Sequence, residues 1–306
     1  MRIAIFGAGG VGAYIGARLS EYGADVRLIA RGAHLDAIRD RGLRVDSIAG
    51  DMHVRPFATE NPAEVGVCDA VLVCVKSYDT ESVASEIAPL LGPDSLVLSL
   101  QNGVDNEEAL GSTLGTHHVV GGVAYVFATI KEPGVVVHSD GPGSIVLGEL
   151  NGDLSDRVVA LADLCSDAGV PAECVSDIHS RLWQKYCVII PQAGMTAISR
   201  APIGAIRESE AARGMFLRLT DEIIALAGRE RIQLPEDMRS KVLGFVTGLD
   251  GGTFSSLHYD LSHGKRLELN ALHGYASRLG RAHGLPMPAC DAVVAALEPH
   301  LDGVGS

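Results

Sequence analysis

The first half of the chain alternates between short apolar runs and amphipathic stretches. Apolar runs fall at 2–6, 26–30, 70–75, 95–100 and 119–128, and helix-like stretches at Ala13–Tyr22, His34–Arg39, Thr80–Leu91 and Asn106–Leu110 lie between several of them. Runs that are apolar throughout suit strands covered on both faces, and their alternation with helices predicts a parallel sheet. Val135–His138 and Ser144–Leu147 flank Ser139-Asp140-Gly141-Pro142-Gly143, which predicts a hairpin closing this region. From about residue 153 the period becomes helical. Ser155–Ala168 carries apolar residues at 158, 161, 164 and 165, a long helix is predicted from Ser176 to about Ile198, and others over about 208–228, 236–248, 266–283 and 289–298. The pattern predicts an α/β domain over residues 1–172 and an all-helical domain over 173–306.

Composition narrows the function classes. The chain has 306 residues, 36 of them glycine, with no G-x-y period that would make it collagen-like. Its 25 basic and 38 acidic residues give a net charge of −13, which repels nucleic acid and anionic membranes but not a small anion held in a locally basic pocket. No apolar stretch approaches the ~20 residues of a membrane span. The N-terminal apolar run superficially resembles a signal peptide, but glycine spacing explains it better, and a cytoplasmic location is expected. The six cysteines form no C-x-x-C pair and sit mostly in apolar runs, so they read as reduced and buried. The histidines form neither H-E-x-x-H nor a zinc-spaced cluster; they read as surface or capping residues, and no metal is expected. No G-x-S-x-G supports an α/β-hydrolase.

The chemistry begins at residue 7. Arg2–Phe6 reads as a buried strand, followed by Gly7-Ala8-Gly9-Gly10-Val11-Gly12 and an amphipathic helix start. This is G-x-G-x-x-G in a strand–turn–helix setting. Gly7 permits the turn, Gly9 lets a pyrophosphate approach the backbone, and Gly12 lets helix pack on strand. The loop therefore predicts a Rossmann dinucleotide site. A strand over Asp25–Ala30 ends in Arg31-Gly32, where an NAD site would carry a carboxylate for the ribose 2′-hydroxyl; a guanidinium suits a 2′-phosphate, so NADPH is favoured. Lys76 and Asn102 follow two further strand ends, where ligands gather in open parallel sheets. Lys76 can add charge near the adenosine phosphates, and Asn102 offers a donor and an acceptor to nicotinamide ribose or substrate.

In the helical half, Lys185 stands in the apolar segment around Trp183, where a lysine either snorkels or has a task. Ser255-Ser256 precedes a helix-like stretch, where either serine suits an N-cap, and Glu268 falls on the next predicted helix. Composition alone does not bring Lys185, Ser256 and Glu268 together.

The ordered set of the glycine loop, Ala30-Arg31-Gly32, Val75-Lys76, Gln101-Asn102-Gly103, Pro133–His138, Trp183-Gln184-Lys185, Thr196-Ala197 and Ser255-Ser256 with Glu268 resembles the ketopantoate reductase (2-dehydropantoate 2-reductase) family, across nearly the whole chain. That resemblance implies a Rossmann domain, an all-helical domain, an active site in the cleft between them, and NADPH-dependent reduction of 2-dehydropantoate to D-pantoate on the route to pantothenate and coenzyme A. It implies Lys185 as general acid and Glu268 as its partner and a cofactor contact. It further implies Ser256 and Asn102 as substrate contacts, Asn102 also beside the nicotinamide, Arg31 and Lys76 around the 2′-phosphate, and a loose cofactor contact at Ala128. Pantoate-forming members carry asparagines where this chain has Ile189, Ala193 and Ile203; Gln192 returns to nearly the same helix face and could supply one amide. Another 2-oxo acid or ketone therefore stays open as substrate, as does a non-catalytic NADP-binding regulator. A monomer or homodimer is expected, with no macromolecular partner.

Overall fold

A computed structural model describes residues 1–304. The chain divides into two compact units, one of Met1–Gln101 with Asp105–Ile178, the other of Asn102–Val104 with the chain from His179 onward.

The first unit holds ten strands among the described residues: β1 (Arg2–Phe6), β2 (Asp25–Ile29), β3 (Leu43–Ser47), β4 (Met52–Val54), β5 (Phe57–Thr59), β6 (Cys68–Val73), β7 (Leu91–Ser99), β8 (Val119–Glu132), β9 (Val135–Glu149) and β10 (Ala172–Cys174). They form one sheet in the order β4-β3-β9-β8-β7-β6-β1-β2-β5, with β10 added to β9. From β8 to β5 every neighbouring pair is parallel. Chain order reverses direction between β1 and β6, the switch point beside which Rossmann folds hold nucleotides. Five helices belong to this unit: α1 (Gly10–Tyr22), α2 (Gly32–Arg41), α3 (Thr80–Ile87), α4 (Asn106–Leu114) and α5 (Asp156–Asp167). Alternation along β1 explains the two layers. Ile3 and Ile5 pack with Ile15 of α1, Leu35 of α2 and Leu161 of α5, whereas Ala4 and Phe6 pack with Val83 and Ile87 of α3 and Leu110 of α4. Both faces of the strand are thus buried, as its unbroken apolar sequence requires.

Two expectations change. The hairpin is β8 with β9, turning at Pro133-Gly134, and not a hairpin within 135–147. Ser139–Gly143 lies inside β9, where Gly141 and Gly143 adopt positive φ and the ladder to β8 shifts register. Glycines that resemble a turn in sequence here make bulges. The first unit extends to Ile178, and Ala172–Cys174 pairs in parallel with Ile145–Leu147 within it.

The second unit is helical: α6 (Ile178–Ser199, whose first residue belongs to the first unit), α7 (Ile203–Glu208), α8 (Glu210–Arg229), α9 (Met238–Gly248), α10 (Ser256–Ser262), α11 (His273–Ala282) and α12 (Pro288–Leu297). Ile190, Phe216, Leu219, Ile223, Val242 and Val293 lie in its core. The predicted helix over 266–283 begins only at His273. Before it the chain runs irregularly, with the Leu267 amide donating to the Leu301 carbonyl at 2.9 Å while Leu267 and Leu269 are buried.

A Cβ on Gly10 would lie 1.9 Å from the carbonyl oxygen of Ala128, whereas one on Gly9 would meet nothing within 4 Å. Gly10→Ala is therefore expected to destabilise the fold by about 1–3 kcal/mol, seen as a lower urea midpoint, while Gly9→Ala leaves the midpoint within error.

Candidate active site

On the first unit the glycine loop leaves β1 at Gly7, which adopts φ +100°. The amides of Gly7 and Ala8 donate to the Ile29 carbonyl at 3.0 and 3.2 Å, pinning the loop to the end of β2. A Cβ on Gly12 would stand 2.2 Å from the Gly7 carbonyl oxygen, so glycine there lets α1 pack on the turn. Ala128 of β8 presses its backbone against Gly10, which joins two segments 118 positions apart in sequence. The space above Gly9 is open. Gly9 caps α1 without a side-chain hydrogen bond, and the first helical turn, which includes Val11, carries no acidic residue. Helix-end amides with no competing carboxylate fit a pyrophosphate.

Arg31 caps α2 with a side chain 82% exposed, its guanidinium 3.5 Å from the Asp79 carboxylate. This ion pair joins the exit of β2 to the 3-10 turn Ser77–Asp79, which half-buried Lys76 precedes. Gly7, Arg31 and Lys76 thus follow the adjacent strands β1, β2 and β6. Asn102 follows β7 and is half-buried, in the short segment grouped with the second unit.

On the second unit Lys185 is half-buried on α6. Burial pushes its pKa down to about 8, and the nearby Glu268 carboxylate pulls the other way. Glu268, 5% exposed, sits in the irregular segment before α11 and not on a helix as expected. Two hydrogen bonds moor that segment to α6. The Tyr186 hydroxyl donates to the Leu272 carbonyl at 2.6 Å, and His273 Nε2 lies 2.8 Å from the Ile190 carbonyl, which makes Nε2 the protonated nitrogen. His273 is fully buried and its pKa falls to about 4 by desolvation, which corrects its reading as a surface or capping residue.

Ser255 caps α10, accepting from the His258 amide at 3.1 Å, and its hydroxyl is 2.6 Å from that of buried Thr196. Ser256, the first residue of α10, is exposed. Gln192 is buried on α6. Of the three apolar positions, Ile189 is half-buried, Ala193 is buried, and Ile203 is fully buried in the helical core. Glu268 thus lies within electrostatic reach of Lys185, and the Ser255–Thr196 contact ties the α10 cap to α6. The sequence marks Tyr186, His273 and Thr196 only as polar groups within otherwise apolar helix faces, and does not by itself point to them as site residues.

The profile described as "Ketopantoate reductase PanE/ApbA" matches residues 3–152, and "Ketopantoate reductase PanE/ApbA C terminal" matches 177–300. The chain belongs to the ketopantoate reductase family. It is 34% identical over 287 residues to the 2-dehydropantoate 2-reductase of Archaeoglobus fulgidus, covering 93% of this chain and 92% of that protein. The PanE/ApbA family ketopantoate reductase from Ralstonia eutropha JMP134 superposes with a TM-score of 0.91 at 35% identity, covering 98% of each chain. A D-mandelate dehydrogenase solved with NADH and anilino(oxo)acetate shares the fold, with a TM-score of 0.89 at 24% identity over 98% of each chain. The family is one of oxidoreductases, consistent with the Rossmann topology. Among the described residues, no cluster of three or more His, Cys, Asp or Glu could hold a metal, and no helix is long and apolar enough to cross a membrane.

Competitive amine labelling across pH is expected to titrate Lys185 near 8, below the ordinary lysine range. Glu268→Gln removes the charge that raises this value, so the midpoint should fall further; an upward move would contradict the pairing.

Proposed function

We propose that this protein reduces 2-dehydropantoate (ketopantoate) to D-pantoate with NADPH, a step of pantothenate and coenzyme A biosynthesis. What supports this reading is a lysine on α6, Lys185, within electrostatic reach of the buried Glu268 carboxylate, in a chain that matches the family over residues 3–152 and 177–300. A reduced nicotinamide, when bound, supplies the hydride. The residues Gly7, Ala8, Gly9, Gly10, Val11 and Gly12 hold the pyrophosphate against the start of α1, with the Ala128 backbone beside them. Arg31 and Lys76 receive the 2′-phosphate. Asn102, Ser256 and Gln192 orient the 2-oxo acid.

Lys185 hydrogen-bonds the ketone oxygen and gives its proton to the alkoxide as negative charge develops there. A pKa near 8 leaves the ammonium mostly protonated at neutral pH yet a stronger acid than an exposed lysine. Glu268 holds that proton in place and contacts the cofactor. The group acts in its charged form, so turnover is lost as pH rises through the lowered pKa.

A second reading keeps the reaction and changes the substrate. Ile189 and Ala193 follow Lys185 by four and eight positions on α6, near the same helical face, and offer no hydrogen bond to a hydroxyl. They favour a 2-oxo acid or ketone with an apolar side chain.

NADPH oxidation followed by absorbance against a panel of 2-oxo acids tests both readings. Turnover of ketopantoate above all others supports the first, and preference for an unhydroxylated acid supports the second. Silence across the panel defeats both and favours a non-catalytic NADP-binding protein. Lys185→Ala should lower kcat by about 100–10,000-fold while NADPH still binds. NADPH should bind more tightly than NADH, and Arg31→Ala should narrow that gap.

A further inference from the structure

Gln101 is a buried amide, 6% exposed, immediately after β7 and immediately before Asn102. Each polar atom of its side chain has a partner. Nε2 donates to the Val75 carbonyl at 3.1 Å and to the Thr80 hydroxyl at 2.8 Å, and Oε1 accepts from the Ser99 hydroxyl at 3.2 Å. The Thr80 hydroxyl donates in turn to the Ser77 carbonyl at 2.8 Å, with Asn106 Oδ1 at 3.1 Å as its alternative acceptor. Val75 and Ser77 are the two chain neighbours of Lys76. One carboxamide therefore brackets Lys76 on both sides, directly through Val75 and through Thr80 to Ser77. The Lys76 carbonyl accepts from the Asp79 amide at 2.9 Å, which fixes the turn from which Asp79 reaches Arg31.

Stability alone does not explain an amide here. An apolar side chain of similar volume would cost little if its partners were also apolar, whereas a buried polar network fixes one geometry at the expense of others. Thr80, Ser99 and Asn106 are each 3% exposed or less. The network spans the exits of β6 and β7, the two strand ends that carry Lys76 and Asn102. We propose that Gln101 is a positioning residue, which holds Lys76 in register for the 2′-phosphate of the cofactor. This rests on the reading of the protein as NADPH-binding.

The test is a double-mutant cycle on nucleotide affinity, measured by calorimetry with NADPH and NADH. Gln101→Met keeps the length of the side chain and removes its donors. In the wild-type background it is expected to weaken NADPH binding about tenfold, a coupling of about 1.4 kcal/mol, and NADH binding by less than about twofold. In a Lys76→Ala background, adding Gln101→Met should change the NADPH affinity by less than about twofold. Equal losses for both nucleotides, equal losses in both backgrounds, or no loss at all would overturn the proposal. A wild-type protein that binds no NADPH overturns the underlying cofactor reading, and the proposal with it. If Gln101→Met does not fold, Thr80→Val cuts the same link, with Thr80→Ser expected to restore NADPH affinity; failure of that rescue counts against the network.

Discussion

The hydrogen bond from the Tyr186 hydroxyl to the Leu272 carbonyl fixes how the segment before α11 lies on α6. A lysine on one helix and a glutamate in an irregular segment 83 positions later have no local reason to meet. Tyr186, next to Lys185, and His273, bonded to Ile190, hold the start of α11 against α6 at two points about one helical turn apart. Glu268 lies four residues before Leu272, so its carboxylate stays near the ammonium. Pro191 lies in the same stretch of α6 and lacks an amide proton, so it offers the Cys187 carbonyl, about one turn before Ile190, no helical donor.

The two units differ in how they prepare their ligands' charges. The glycine loop offers backbone dipoles and space, without a full charge at the helix start. The helical unit offers one ammonium whose charge is kept costly by burial and is only partly compensated by Glu268. Desolvation makes such a group a stronger acid than an exposed lysine. Between these extremes stand Arg31, exposed and paired with Asp79, and Lys76, held within a turn. A protein of net charge −13 thus sets Arg31 and Lys76 at neighbouring strand ends and Lys185 within its helical unit.

Much of this was legible in the sequence, for reasons that vary with the residue. β1, β6 and the second half of β7 announce themselves because their runs buried on both faces, Ile3–Phe6, Ala70–Val73 and Leu96–Leu98, are apolar throughout. The three-residue strands β4, β5 and β10 escaped notice because so short a segment has no period to detect. The sheet-embedded Ser139–Gly143 reads as a turn, since glycine and proline mark bulges and turns alike. The strand–turn–helix of the glycine loop and the place of Arg31 at the end of β2 could be read from spacing, because both depend on segments close by in the chain. Lys185 with Glu268 could not, since their proximity depends on Tyr186 and His273, whose contacts are tertiary. In sequence Gln101 stands only as part of Gln101-Asn102-Gly103, and its two bonds towards the Lys76 turn emerge from strand pairing alone.

The four glycines of the loop also differ in what would preserve them. Gly7 is held by its backbone angle, and Gly10 and Gly12 by atoms that leave no room for a methyl group. A duplicate of this protein that had abandoned its ligand would still need those three to fold, so their survival in a descendant would say little about activity. Gly9 answers to no such demand, having ordinary φ and open space around it. A methyl group at this position is one the fold itself would tolerate, whatever it did to a molecule above the loop.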